Sequence, residues 1–239
     1  MVQMFDSSTI KPFELISSSG VITIEVQFIR EAIEQVLQIA NVFKLIQVKE
    51  RSEYTDRINK YLSQSLLNGT ENYNPQIDII RFIEIARSND LINTNNYFVI
   101  VLAQNIIVSE DDDTYFRKID NELSKQHDEY TPGISYCYRK NLRGFVISTL
   151  RFKDLDNEKE VLKTAVFHEM GHILNAAEGM IGKSMSGENK YYNHCFNNDV
   201  MRQQEDIPKD IIIATEQRLN TGIIYCDQCI NSIKEFFRK

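Results

Sequence analysis

Residues 157–174 read NEKEVLKTAVFHEMGHIL and constrain this chain more than any other segment. Asn157 followed three residues later by Glu160 is a capping-box signature, which predicts that a helix starts there. Within it Val161, Leu162, Ala165, Val166, Phe167, Met170, Ile173 and Leu174 cover nearly every face. A helix apolar all round is a buried one. Yet this helix also carries His168, Glu169 and His172, each costing a few kcal/mol to bury without partners. The chain must therefore fold around this helix and satisfy those groups.

The spacing indicates how. His168 and His172 lie one helical turn apart on the same side, with roughly 6 Å of rise between them. Both imidazoles can then converge on one ion with Zn–N bonds of ~2.0–2.1 Å. Glu169 projects beside them, placed to take a proton from a metal-bound water. Gly171 keeps the helix surface low beside the second ligand. The plainer reading is a pair of core histidines hydrogen-bonded to neighbours. The Cys/His cluster that follows favours the metal.

That cluster is concentrated. The chain has four histidines and four cysteines. His127 and Cys137 stand apart; His194-Cys195 are adjacent, and Cys226 and Cys229 form a CxxC pair. Four cysteines are too few for a disulfide scaffold, and such a pair in a reducing compartment is a metal clip or a redox motif. A catalytic zinc needs a third protein ligand and an open fourth position. Two candidates follow: Glu178, six residues after His172, and His194, after a longer excursion. Asn175 can end the helix in a left-handed turn. A carboxylate is as competent as an imidazole, so spacing leaves this choice open.

The rest of the chain supplies a frame. With 239 residues, 42% hydrophobic and 26% charged, it is long enough for one core and is neither disordered nor fibrous. We expect a single domain over residues 1–239, with a divergent N-terminal part (1–95) and a catalytic core (96–239) ending in the CxxC clip. No apolar run approaches the ~20 residues of a membrane span. Residues 1–15 lack a secretory pattern, and a net charge of −7 argues against nucleic acid and anionic membranes. The expectation is a soluble, cytoplasmic protein.

Helical periodicity covers residues 25–43 (Val26, Ile29, Ile33, Val36, Leu37, Ala40), residues 54–68, and a stretch from Pro75 through Ile77, Ile80, Ile83 and Ala86. Strands are expected at residues 97–102, 134–138 and 144–150, with a turn at Arg139-Lys140-Asn141. Acidic Asp111-Asp112-Asp113 reads as a solvated loop, because the alternating spacing of a calcium loop is absent. Helices alternating with strands predict α/β or α+β layering.

From about Tyr97 to Cys229 the sequence resembles the archaemetzincins, a zinc metallopeptidase family of the metzincin clan. The likeness rests on HExxHxxG (here His168 to Asn175), His194-Cys195, Met201 and the Cys226/Cys229 pair, with GFVISTLRF and VLKTAVFHEMGHIL upstream. The resemblance implies a mixed twisted sheet over a buried HExxH helix with a Met-turn. It implies His168, His172 and His194 on a catalytic zinc, Glu169 as general base, and Met201 in the turn beneath. It also implies a second, structural zinc, on Cys195, Cys226 and Cys229 with Asp199 or Cys137 as the fourth ligand. Strand 144–150 would form the rim that pairs with an extended peptide. Three features depart from the pattern: Asn175 replaces the glycine, residues 176–193 are inserted, and Asp199 stands nearest the place of a missing cysteine. An alternative grouping puts His194 with the three cysteines and leaves Glu178 on the catalytic metal.

The expected function is thus zinc-dependent hydrolysis of peptide bonds in a peptide or protein substrate. The alternative is a latent or non-catalytic zinc-binding protein that binds peptides or proteins, with Glu178 capping the open metal position. A zinc-ribbon-like adaptor is the third class, disfavoured for nucleic acid by the acidic charge.

Overall fold

The structure, a computed structural model, describes residues 5–67, 76–107, 133–138, 142–183, 190–202, 204 and 209–238. In chain order the strands are β1 (Phe13–Ser17), β2 (Val48–Glu50), β3 (Leu66–Leu67), β4 (Gln76–Asp78), β5 (Tyr97–Leu102), β6 (Asn105–Ile107), β7 (Gly133–Tyr138), β8 (Leu142–Ser148), β9 (Ile181–Lys183) and β10 (Lys190–Tyr192). The helices are α1 (Thr23–Ile39), α2 (Thr55–Gln64), α3 (Ile79–Ser88), α4 (Glu158–Ile173), α5 (Lys209–Thr221) and α6 (Asp227–Phe236).

The main sheet has the order β2-β1-β5-β8-β7. Strands β2, β1, β5 and β8 run parallel, and β7 closes the row antiparallel to β8. Helices cover both faces, so β5 reads YFVIVL without polar alternation. Tyr97, Val99 and Val101 share one core with Phe13, Leu15, Phe145 and Ile147, packed under α1, α4 and α6. Phe98, Ile100 and Leu102 share the other with Ile16 and Val146, under α2 and α3. The result is a mixed α/β architecture. β1 and β2 lie in this same sheet, so residues before Tyr97 are integral to it. A smaller sheet has the order β3-β4-β6, and β9 pairs with β10 in an antiparallel hairpin. No helix among the described residues is long and apolar enough to cross a membrane.

Helix α4 is buried along almost its whole length, as its composition requires. Buried Lys163 is satisfied by Glu31 of α1, 2.9 Å away. The helix begins where expected, but the capping box does not form. Asn157 is left-handed (φ 60°) and makes no side-chain cap. The Glu160 carboxylate instead accepts from Arg218 at 2.7 Å, so tertiary pairing has taken the group that would have capped the helix.

Two other expectations change. The helix placed from Pro75 starts at Ile79, because Ile77 pairs with Ile106 in the small sheet. Asp78 caps it, accepting from the amides of Ile80 and Arg81 at 3.1 Å each. The strand expected as the cleft rim, residues 144–150, corresponds to β8, which is hydrogen-bonded on both edges. Its backbone groups are already used, so it has no edge for a peptide; among the described strands β7 is the outer one at this end of the sheet. The helix expected over 25–43 stops at Ile39, and that over 54–68 is α2 behind a short 3₁₀ turn, Ser52–Tyr54. Pro75, the acidic triplet Asp111-Asp112-Asp113, His127 and the turn at Arg139-Lys140-Asn141 lie outside the described residues.

Candidate metal centre

The C-terminal end of α4 is tied to the start of β8. Arg143, buried near the beginning of that strand, donates from Nη1 to the carbonyl of Ile173 at 2.8 Å and to Oδ1 of Asn175 at 2.5 Å. Asn175 adopts the left-handed conformation (φ 59°) that reverses the chain after a helix. Its Nδ2 donates to Oε2 of Glu178 at 2.6 Å. Glu178 is exposed and spends a carboxylate oxygen on this turn.

Three histidines converge beside it. One ring nitrogen of each of His168, His172 and His194 lies within 4.8 Å of the others. Ring centroids are 4.7 Å apart for His168 and His172, 5.4 Å for His168 and His194, and 4.8 Å for His172 and His194. The Nδ1 of His168 is 2.6 Å from the carbonyl of Val200. A carbonyl only accepts, so Nδ1 carries the proton and Nε2 presents a lone pair. That Nε2 lies 3.1 Å from Nε2 of His172. Two imidazoles on a tetrahedral zinc at ~2.0–2.1 Å bond length place their nitrogens about 3.3–3.4 Å apart, close to what the rings already adopt. Desolvation, and after it the electrostatic influence of the neighbouring His168 and His194 rings, pushes His172 well below its usual range. A neutral imidazole is the form that ligates a metal. Glu169, next to His168 on the helix, is buried.

The segment between α4 and His194 explains how a distant residue reaches the pair. Strands β9 and β10 pair antiparallel, and Gly182 packs against the backbone of His194. A Cβ there would sit 2.3 Å from the His194 carbonyl carbon and oxygen. The amide of Asn193 donates to the Met180 carbonyl at 2.9 Å, and that of Lys183 to the Cys195 carbonyl at 3.3 Å. Met180, Gly182, Lys183 and Asn193, all within the insertion, thus brace His194 rather than carry it away. Met201, fully buried, lies under α4 at Gly171.

A second group sits alongside. Cys195, Asp199, Cys226 and Cys229 each offer a ligand atom, all within 4.8 Å of one another. The three thiols are not in disulfides, and Sγ of Cys195 lies 3.6 Å from Sγ of Cys226. The Asn197 amide donates to Cys195 Sγ and its Nδ2 to Cys226 Sγ, at 3.3 Å each. Asp199 accepts from the amide of Met201 on Oδ1 and from that of Cys226 on Oδ2, both at 2.9 Å. A hydrogen bond from the Cys229 thiol lowers the pKa of Cys195; the same contact, with burial, raises that of Cys229. Burial raises Cys226. One thiol is thus set to ionise before the others. Tyr225, just before the CxxC pair, donates its hydroxyl to the carbonyl of Phe167 on α4.

His194 therefore stands with the other two histidines, not with the cysteines, and Asp199 stands with the cysteines. Glu178 belongs to neither group. The side chain of Cys137, on β7, lies outside the described residues. Sequence reasoning missed Arg143, whose signal was a lone charge in the apolar run LRGFVIS, and Gly182 and Asn197, which carried none.

No protein-family model matches this chain, and no curated protein does. Among solved structures, it is similar to the archaemetzincin of Archaeoglobus fulgidus, crystallised with malonate, at 13% identity and a TM-score of 0.49. The match covers 92% of this chain and 99% of that one. Likeness at that level says nothing of activity.

Proposed function

We propose that the chain is a zinc-dependent peptidase in which His168, His172 and His194 hold the catalytic ion and Glu169 is the general base. The observation that carries this reading is the convergence of three imidazoles, one fixed as the Nδ1 tautomer by Val200, beside a buried glutamate. The donor set fits the ion: neutral nitrogens suit zinc among first-row metals. When bound, zinc supplies Lewis acidity that polarises a scissile carbonyl and lowers the pKa of water toward ~7. Glu169 then takes a proton from the attacking water and returns it to the leaving amine. Burial of Glu169 strengthens that role by keeping the carboxylate from competing solvent. The outer edge of β7, beside α4, is where an extended substrate adds a strand, since main-chain pairing gives affinity with little sequence choice.

Cys195, Asp199, Cys226 and Cys229 hold a second, structural zinc. Amide donors on two of the sulfurs suit thiolates, and three thiolates with a carboxylate would supply the four protein ligands that a structural zinc takes. The latent-module alternative needed Glu178 to cap the first ion; the engagement of Glu178 by Asn175 favours the peptidase.

Zinc-loaded protein incubated with a mixture of unstructured peptides, read by mass spectrometry, tests the reading. Wild type is expected to cleave, and Glu169→Ala to retain zinc and lose turnover. A wild type that cleaves nothing, or a variant that cleaves as well as wild type, contradicts it.

A further inference from the structure

The loop of residues 194–201 serves both groups of ligands at both of its ends. It opens with His194, in the histidine centre, followed directly by Cys195, in the thiol centre. It ends with Asp199, in the thiol centre, followed directly by Val200, whose carbonyl fixes the tautomer of His168. The loop is closed by the amide of Cys195 on the carbonyl of Met201 at 2.8 Å. Consecutive Cα atoms are ~3.8 Å apart, so neither member of either pair can shift without its neighbour.

The segment bearing the CxxC pair holds this loop in addition to β9. The amide of Val200 donates to the carbonyl of Ile224 at 3.1 Å, and Asp199 accepts from the amide of Cys226 at 2.9 Å. Other contacts between the loop and this segment include a weak N–H···S bond and thiol neighbours at 3.6 Å. An ion on the three sulfurs and the carboxylate would replace these with bonds from both ends of the loop to the start of α6.

We propose that the two centres are energetically coupled through this loop, so that an ion on the thiol centre tightens binding at the histidine centre. The inference rests on the reading that both groups hold metal. The first ion to bind orders the loop, and the second finds it already ordered, which is positive cooperativity without any new contact. Because coupling free energy is reciprocal, filling the histidine centre tightens the thiol centre by the same factor.

Cobalt(II) is the probe, because thiolate-to-cobalt charge transfer reports the thiol centre, and ligand-field absorption that grows without charge transfer reports the histidine centre. Metal-free wild type, Cys226→Ser and His172→Gln are titrated, with circular dichroism confirming that each is folded. Cys226 is partly exposed, which makes it a gentler site of change than Cys229. Cys226→Ser is expected to bind at the histidine centre about tenfold more weakly, and His172→Gln to show its charge-transfer band about tenfold weaker in affinity. An unchanged histidine-site affinity in Cys226→Ser overturns the coupling, as does an unchanged thiol-site affinity in His172→Gln. A wild type lacking the charge-transfer band overturns it too, by removing the second centre. Reciprocal weakening in a protein that cleaves no peptide sustains the coupling and dismisses the peptidase.

Discussion

A methyl group on Gly171 would lie 2.0 Å from Sδ of Met201. The glycine between Glu169 and His172 is thus where a fully buried methionine from the loop at 194–201 packs onto the helix. Gly171→Ala gains about 1 kcal/mol of helix propensity and meets an overpacking cost of about 1–3 kcal/mol. A net loss is expected in urea unfolding. In a Met201→Ala background the same substitution should be neutral or stabilising; an equal loss in both backgrounds would rule out this contact as the cause.

Arg143 closes the end of α4 that carries His172. Arg143→Met leaves the Ile173 carbonyl and the Asn175 side chain without this donor, at a cost of about 1–3 kcal/mol. Chemical denaturation should register that loss, and metal affinity at the histidines should fall with it. Wild-type stability in this variant would mean that the arginine is not holding the turn.

Gly182 touches backbone, which cannot swing aside as a side-chain end can. Gly182→Ala should push the hairpin off His194 and weaken metal at the histidine centre by about ten- to a hundredfold, the range for loss of a supporting group. The thiolate charge-transfer band should persist at saturating metal, with its affinity lowered through the shared loop. Unaltered histidine-site binding would show that the hairpin is not needed to place the ligand.

The depressed pKa of His172 gives a pH signature in the metal-free protein. Below its unfolded value near 6.5, the unfolded chain takes up a proton that the folded chain refuses. Stability is therefore flat above that pH and falls as pH drops through it toward the lower folded value. Urea midpoints across this range should show the fall, and His172→Asn should reduce it. Stability that rises on acidification would reverse the sign and contradict the burial argument.

Much of the architecture was legible where it is local. The all-round apolarity of α4 and the unbroken YFVIVL of β5 each state their own burial. What the sequence hid is non-local. The five residues of β1 find their place between β2 and β5 only through parallel pairing across the chain, and nothing in LRGFVIS says that β8 is internal. Arg218 draws Glu160 out of a capping box that local rules favour. At the site, the helix spacing pointed to His168 and His172, but the third imidazole, 22 residues beyond His172, depends on paired strands whose contact with His194 is one missing Cβ.

The most direct measurement is zinc per chain in purified protein, comparing wild type with His194→Ala and Glu178→Ala and probing thiol alkylation in each. The account predicts two zincs in wild type and in Glu178→Ala, and one in His194→Ala with Cys226 and Cys229 still protected. One zinc unaffected by His194→Ala but lost in Glu178→Ala would contradict it.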